Sequence, residues 1–212
     1  MSAPRARNLG LLVMGAGVVV SGIAPFERGT WLLEIFPVLI AMPLLWYSRR
    51  RFPLTPLAVG LVTALALILE IGGHYSYARV PAGFWVRDAL DLTRNNFDRL
   101  GHFAQGFVPA IVAREILLRC TPLRPGGWLF VLVTATCLGV SACYEFIEWW
   151  AALLLGSGAT EFLATQGDPW DTQWDMFLAF IGAMTAQLLL ARVHDRALAR
   201  LSDQGVWGHA GT

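Results

Sequence analysis

Residues Leu54 to Gly72 read LTPLAVGLVTALALILEIG, in which Thr55, Thr63 and Glu70 are the only polar side chains. A run of about 20 apolar residues is what a helix needs to cross the hydrocarbon core of a bilayer. Five further apolar runs lie around it, near residues 9–24, 31–47, 102–118, 127–155 and 175–193. The first is preceded by Arg5 and Arg7 in the manner of a signal peptide, but Pro25 directly after Ala24 disfavours cleavage there. The fourth carries Gly106, Pro109, Arg114 and Glu115, and the fifth is longer than a bilayer requires. The expectation is an all-α, polytopic bundle of about six transmembrane helices, residues 1–212 forming one integral-membrane domain with a long outer connection over residues 73–101.

Composition agrees. The chain has 212 residues, of which 56% are hydrophobic and 15% charged, whereas soluble domains run at roughly 45–50% apolar and about 25% charged. The formal net charge is only +1, which argues against nucleic acid as a partner, because phosphate binding is driven by clustered positive charge. Cys120, Cys137 and Cys143 have neither paired nor C-x-x-C spacing, so neither a disulfide framework nor a thiolate zinc site is expected.

All the basic residues are arginine, and their placement orients the chain. With the N-terminus inside, Arg5, Arg7, Arg49, Arg50, Arg51, Arg119, Arg124, Arg192, Arg196 and Arg200 are cytoplasmic. Arg28, Arg79, Arg87, Arg94 and Arg99 lie outside, and Arg114 falls in the membrane. Six spans with both termini cytoplasmic satisfy this bias. The acidic residues, which carry little topological information, crowd the outer half: all but Glu115, Asp195 and Asp203 fall there.

Four of the polar pairs have helical spacing at the outer ends of four spans: Glu70 with His74, Asp98 with His102 (and Gln105 beyond), Glu145 with Glu148, and Asp171 with Asp175. Spacings of three or four place both side chains on one helix face, and ionisable groups at membrane depth usually face a bundle interior or a watery cavity. If the four ends meet, six carboxylates and two imidazoles surround one outward pocket. Such a donor set, without thiolates, suits magnesium, manganese, calcium or zinc, with His102, Glu148 and Asp175 as the expected metal ligands. The catalytic candidates are His102, Asp98, Glu145, Glu148, Asp171 and Asp175. Arg94 and Arg99, with Gln105, His74 and Glu70, would contact substrate, the arginines holding a phosphate in bidentate fashion. Membrane lipid is the expected partner and phosphoester chemistry at a lipid head group the expected reaction class.

Each element also has a plainer reading. A single His on a polar helix end is more often a hydrogen-bonded structural residue. Tyr75 and Tyr77 could be belt aromatics, as could Trp149, Trp150, Trp170 and Trp174. Arg94 and Arg99 could be solvated loop charges. The plainer reading is weakest for Glu145 and Glu148, which sit inside an apolar run. An ion-coupled transporter and a non-catalytic envelope or interaction protein are the alternatives; the first needs polar groups continuing across the membrane, and only Arg114 and Glu115 offer any.

The blocks GGHYSY (72–77), NFDRLGHFAQGF (96–107), YEFIEW (144–149) and QGDPWDTQWDM (166–176) resemble the YjdF-like family of bacterial inner-membrane proteins over nearly the whole chain. That resemblance implies a multi-pass inner-membrane location. More distantly, Asp98-Arg99-x-x-His102, Glu145 or Glu148, and Asp175 with Gly182 are similar to elements of VanZ-like membrane proteins, although that family has Asn four residues after its Asp, where Ala179 stands here. The second resemblance implies a role in the cell envelope, with action on lipid head groups.

Overall fold

The computed structural model describes residues 2–155 and 165–203. It is helical, with no strand among the described residues. The helices are α1 (Ala3–Ser21), α2 (Arg28–Ser48), α3 (Pro56–Tyr75), α4 (Pro81–Ala89), α5 (Phe97–Cys120), α6 (Gly127–Leu155) and α7 (Asp171–Asp203). Of these, α2, α3, α6 and α7 are long and apolar enough to cross a membrane. The other two long helices, α1 and α5, occupy the first and fourth apolar runs but dilute them with polar residues: Arg5, Arg7 and Asn8 in α1, and Asp98, Arg99, Arg114, Glu115 and Arg119 in α5.

The helices overrun the apolar stretches in the sequence. The α5 helix begins at Phe97 rather than near His102, and α7 runs from Asp171 to Asp203 rather than 175–193. A helix satisfies its own backbone hydrogen bonds, so nothing obliges it to stop where the apolar run does. The connection over 73–101 is likewise largely structured. It holds the end of α3, a 3₁₀ turn at Tyr77–Arg79 and the short helix α4. Asn95 pins this segment, donating to the Val80 carbonyl while accepting from the Phe97 amide. Its backbone pairs in both directions with the Gln166 side-chain amide, which ties the entrances of α5 and α7 together.

The bundle has two apolar cores. Ala6 and Met14 of α1, Val38 and Leu45 of α2, and Val59 and Ala66 of α3 form one. Ala58 of α3, Ala110 and Ile111 of α5, Leu129, Val133 and Cys137 of α6, and Ala183 and Ala186 of α7 form the other. The central helix is α5, packed on α3, α6 and, most extensively, α7. There the backbones nearly touch: a Cβ on Gly106 would lie 1.8 Å from the Ala179 carbonyl oxygen, and one on Gly182 would lie 2.1 Å from that of Phe103. Small residues bring membrane helices together by allowing this approach.

Exposed tryptophans mark two levels on α6. Trp128 stands at one end, Trp149 and Trp150 near the other. Trp149 lies twenty-one positions beyond Trp128 on the helix, about 32 Å at 1.5 Å per residue. That matches a hydrocarbon core of about 30 Å with its aromatic belts.

Candidate functional site

Asp98 and His102 lie one turn apart at the start of α5, where the helix N-terminus favours negative charge. Directly across the close α5–α7 contact is Asp175, and α6 brings Glu145 and Glu148 on one face. The result centres on the His102 ring. Its Nε2 is 3.5 Å from Asp98 Oδ1 and 3.8 Å from Asp175 Oδ2, while Nδ1 is 3.8 Å from Glu145 Oε1. The imidazole therefore separates two acidic groups, one at each ring nitrogen. Ligand atoms of Asp98, His102 and Asp175 lie within 4.8 Å of one another, as do those of His102, Glu145 and Glu148.

These separations exceed good hydrogen bonds, and those on the Nε2 side fit Asp98, His102 and Asp175 sharing one cation at about 2.0–2.4 Å each. The centre is buried: His102 is 6% exposed and Asp175 2%. Asp98 Oδ2, His102 Nδ1, Glu145 Oε1 and Asp175 Oδ1 are buried without a hydrogen-bond partner. Buried polar groups are normally paired, and carboxylates this close repel one another. The donor set thus fits a divalent cation on both counts.

At the rim, Arg94 Nη1 lies 2.7 Å from Asp171 Oδ1 and 3.5 Å from Asp168 Oδ2. Arg99 Nη2 is 2.9 Å from the same Asp168 oxygen, and its guanidinium lies 5.2 Å from the centroid of the Trp174 ring. The two arginines are ion-paired and partly buried rather than solvated loop charges. They brace the entrance of α7 by ion pairs, and Asp171 belongs to this brace.

One of the four polar pairs lies elsewhere. His74 Nδ1 donates to the Ser21 carbonyl at 2.9 Å and fastens α3 to the end of α1. Glu70 is 2% exposed, with its carboxylate against Gly17 of α1. Because α1, rather than α5, packs on that face of α3, neither residue reaches the His102 centre. Gln105 does, lining a cavity of about 160 Å³ beside His102 together with Glu34, Tyr77, Tyr144 and Glu148.

A family model described as "Predicted membrane protein (DUF2238)" matches residues 6–196. The chain belongs to the DUF2238 family of predicted membrane proteins. It is also 50% identical over 197 residues to the inner membrane protein YjdF of Escherichia coli (strain K12), covering 93% of this chain and 94% of that protein. No solved structure matches the chain. The matched region contains every residue of the His102 centre and its rim.

Several residues around this site belong to none of the four polar pairs in the sequence. Glu34 is buried on α2, with the Tyr144 hydroxyl 3.5 Å from its Oε2. Its signal was a lone carboxylate in the apolar run 31–47. Tyr77 is buried rather than belt-exposed, because its ring fits the slot left by Gly72 and Gly101, where any Cβ would collide with it. Ser141, one turn from Glu145, is fully buried with an unpartnered hydroxyl.

A second polar group occupies the other end of α5. The Glu115 carboxylate accepts from the Thr55 amide and hydroxyl, from Arg119 at 2.8 Å and from His194 Nε2 at 3.1 Å. Arg114 Nη1 lies 2.9 Å from His194 Nδ1, and Arg114 Nη2 lies 2.7 Å from Asp195. A guanidinium only donates, so His194 Nδ1 accepts and Nε2–H donates to Glu115. Here each buried carboxylate oxygen has a partner, the opposite of the His102 centre.

Proposed function

We propose that this protein is a multi-pass bacterial inner-membrane enzyme that uses a divalent cation, held at His102, on the head group of a membrane lipid. The single observation that carries this reading is the convergence of Asp98 and Asp175, each with a buried unpartnered carboxylate oxygen, on the Nε2 side of the His102 ring. His102, Asp98 and Asp175 would hold the cation. It would act as Lewis acid and activate an attacking hydroxyl. Glu145 and Glu148, on the other ring nitrogen's side, would move the proton. The arginine bias supports an outward-facing site, and the inner-membrane name of the 50% identical relative supports the location.

Arg114 lies twelve positions beyond His102 on α5, about 18 Å of helix. Val108, Ala110 and Ile111 in that stretch are buried and apolar. The two polar groups are therefore separate, which favours local chemistry over an ion-coupled path across the bilayer.

The test is metal analysis of purified protein, combined with turnover of mixed phospholipids in nanodiscs with and without a chelator. Wild type should carry a divalent cation and convert a lipid, and His102→Ala and Asp175→Asn should lose both. Wild type devoid of metal and turnover, or variants equal to it, would overturn the proposal.

A further inference from the structure

The cavity beside His102 has a chemistry of its own. Glu34, Asp98 and Glu148 line it from three helices, with the hydroxylated rings of Tyr77 and Tyr144 between them. No Arg contributes to its wall, since Arg94 and Arg99 lie at the rim with Asp168 and Asp171. Its deeper part is apolar, formed by Leu65, Leu69, Pro109 and Val140. Asp98 Oδ2 and His102 Nδ1 are both buried and unpartnered beside this space. A volume of about 160 Å³ corresponds to about five waters at ~30 Å³ each, the size class of a small organic cation.

An anionic phosphate is repelled by such a wall. An ammonium group is attracted by the carboxylates, stabilised by aromatic faces, and tolerated by the apolar floor, which suits its carbon substituents. We infer that this cavity binds the ammonium group of a lipid head group, with Glu34 and Tyr144 as its recognition pair. This rests on the head-group reading above and gives it a substrate class: ammonium-bearing lipids in preference to anionic ones. The phosphate of such a lipid would then lie on the cation's side of the His102 ring, while the ammonium occupies the Glu34 side.

Binding to the full-length protein in detergent tests it, with choline and ethanolamine as probes and 3,3-dimethylbutanol as the neutral isostere of choline. Choline or ethanolamine should bind and the neutral isostere should not. Glu34→Gln should weaken binding roughly tenfold, in keeping with a lost charged contact, and Tyr144→Phe should weaken it less. Glu70→Gln, buried elsewhere in the bundle, should leave it unchanged. In nanodiscs, phosphatidylethanolamine should outcompete the free amines and phosphatidylglycerol should not, which separates a lipid source from a free one. Equal binding of the neutral isostere, or unchanged binding in both Glu34→Gln and Tyr144→Phe, would overturn the inference. Metal content separates the two readings: metal-free wild type that still binds choline refutes only the catalytic one. Metal-loaded protein that ignores choline and ethanolamine refutes only this one.

Discussion

Gly106 offers the sharpest probe of how the bundle builds its site. A methyl at this position would begin 1.8 Å from the Ala179 carbonyl oxygen, and real Cβ atoms essentially never approach closer than 3.0 Å. Since the obstacle is backbone, α7 must retreat from α5 by more than about 1 Å. Overpacking of this kind costs about 1–3 kcal/mol, and for a chain of this length each kcal/mol moves Tm by about 2–4 °C. Gly106→Ala should therefore melt roughly 2–12 °C below wild type in a detergent thermal-shift assay. Gly106 is one turn beyond His102, and Ala179 is one turn beyond Asp175. The same retreat widens the 3.8 Å gap between His102 and Asp175, so metal content should fall along with Tm. Gly60 is the control: a Cβ there meets nothing within 4 Å, and Gly→Ala in an open helical position gains about 0.5–1 kcal/mol. A Gly106→Ala protein that melts with Gly60→Ala and keeps its metal would refute the reasoning.

Three further outcomes follow from contacts away from the site. Glu115→Ala leaves Arg119, His194 and the Thr55 amide without their shared acceptor. Removing one partner of a buried ion pair costs about 3–5 kcal/mol, enough for a large loss of folded protein by size-exclusion yield and thermal melting. Thr55→Val removes one hydrogen bond and the cap on Ala58 and should cost about 0.5–2 kcal/mol. Glu27, just ahead of α2, accepts from the Gly29 and Thr30 amides, and those bonds lower its pKa from the ordinary 4.5. The folded state thus binds its proton less readily than the unfolded one. Its stabilisation is full above pH 4.5 and fades as pH falls through the lower folded value. Melting temperatures between pH 6 and 3 should show a smaller acid-side loss for Glu27→Gln than for wild type; identical slopes would contradict the cap.

Much of the bundle was legible because bilayer crossing is a demand of length and hydropathy, and runs such as Leu54–Gly72 meet it without help from tertiary context. Helix limits were less legible. Polar residues such as Phe97's neighbours Asp98 and Arg99 say where the hydrocarbon ends but not where the hydrogen-bonded spiral does. At the candidate site, spacing identified Asp98 with His102 and Glu145 with Glu148 because each pair lies on one face of one helix. It could not say which face of α3 meets α5, so Glu70 and His74 seemed equivalent to the others although they turn toward α1. Glu34 and Tyr77 depend on neighbours far away in sequence, Tyr77 on the empty volumes at Gly72 and Gly101, and a periodicity within one helix carries no trace of that. The links of Arg114 and Glu115 to His194 were invisible for the same reason, being about 80 positions apart.

The burden of charge on α5 bears on how the protein is made. Asp98, Arg99, Arg114, Glu115 and Arg119 leave that helix a poor candidate for the lipid phase by itself, since each charge at its middle is costly to transfer. Several partners for those charges, His194 and Asp195 for Arg114 and Glu115 and the Asp175 face beside Asp98, reside on α7, which follows later in the chain. Stable integration of α5 therefore depends on α7, and nascent chains ending near residue 155 would present a polar segment still lacking those partners to the quality-control proteases of the membrane.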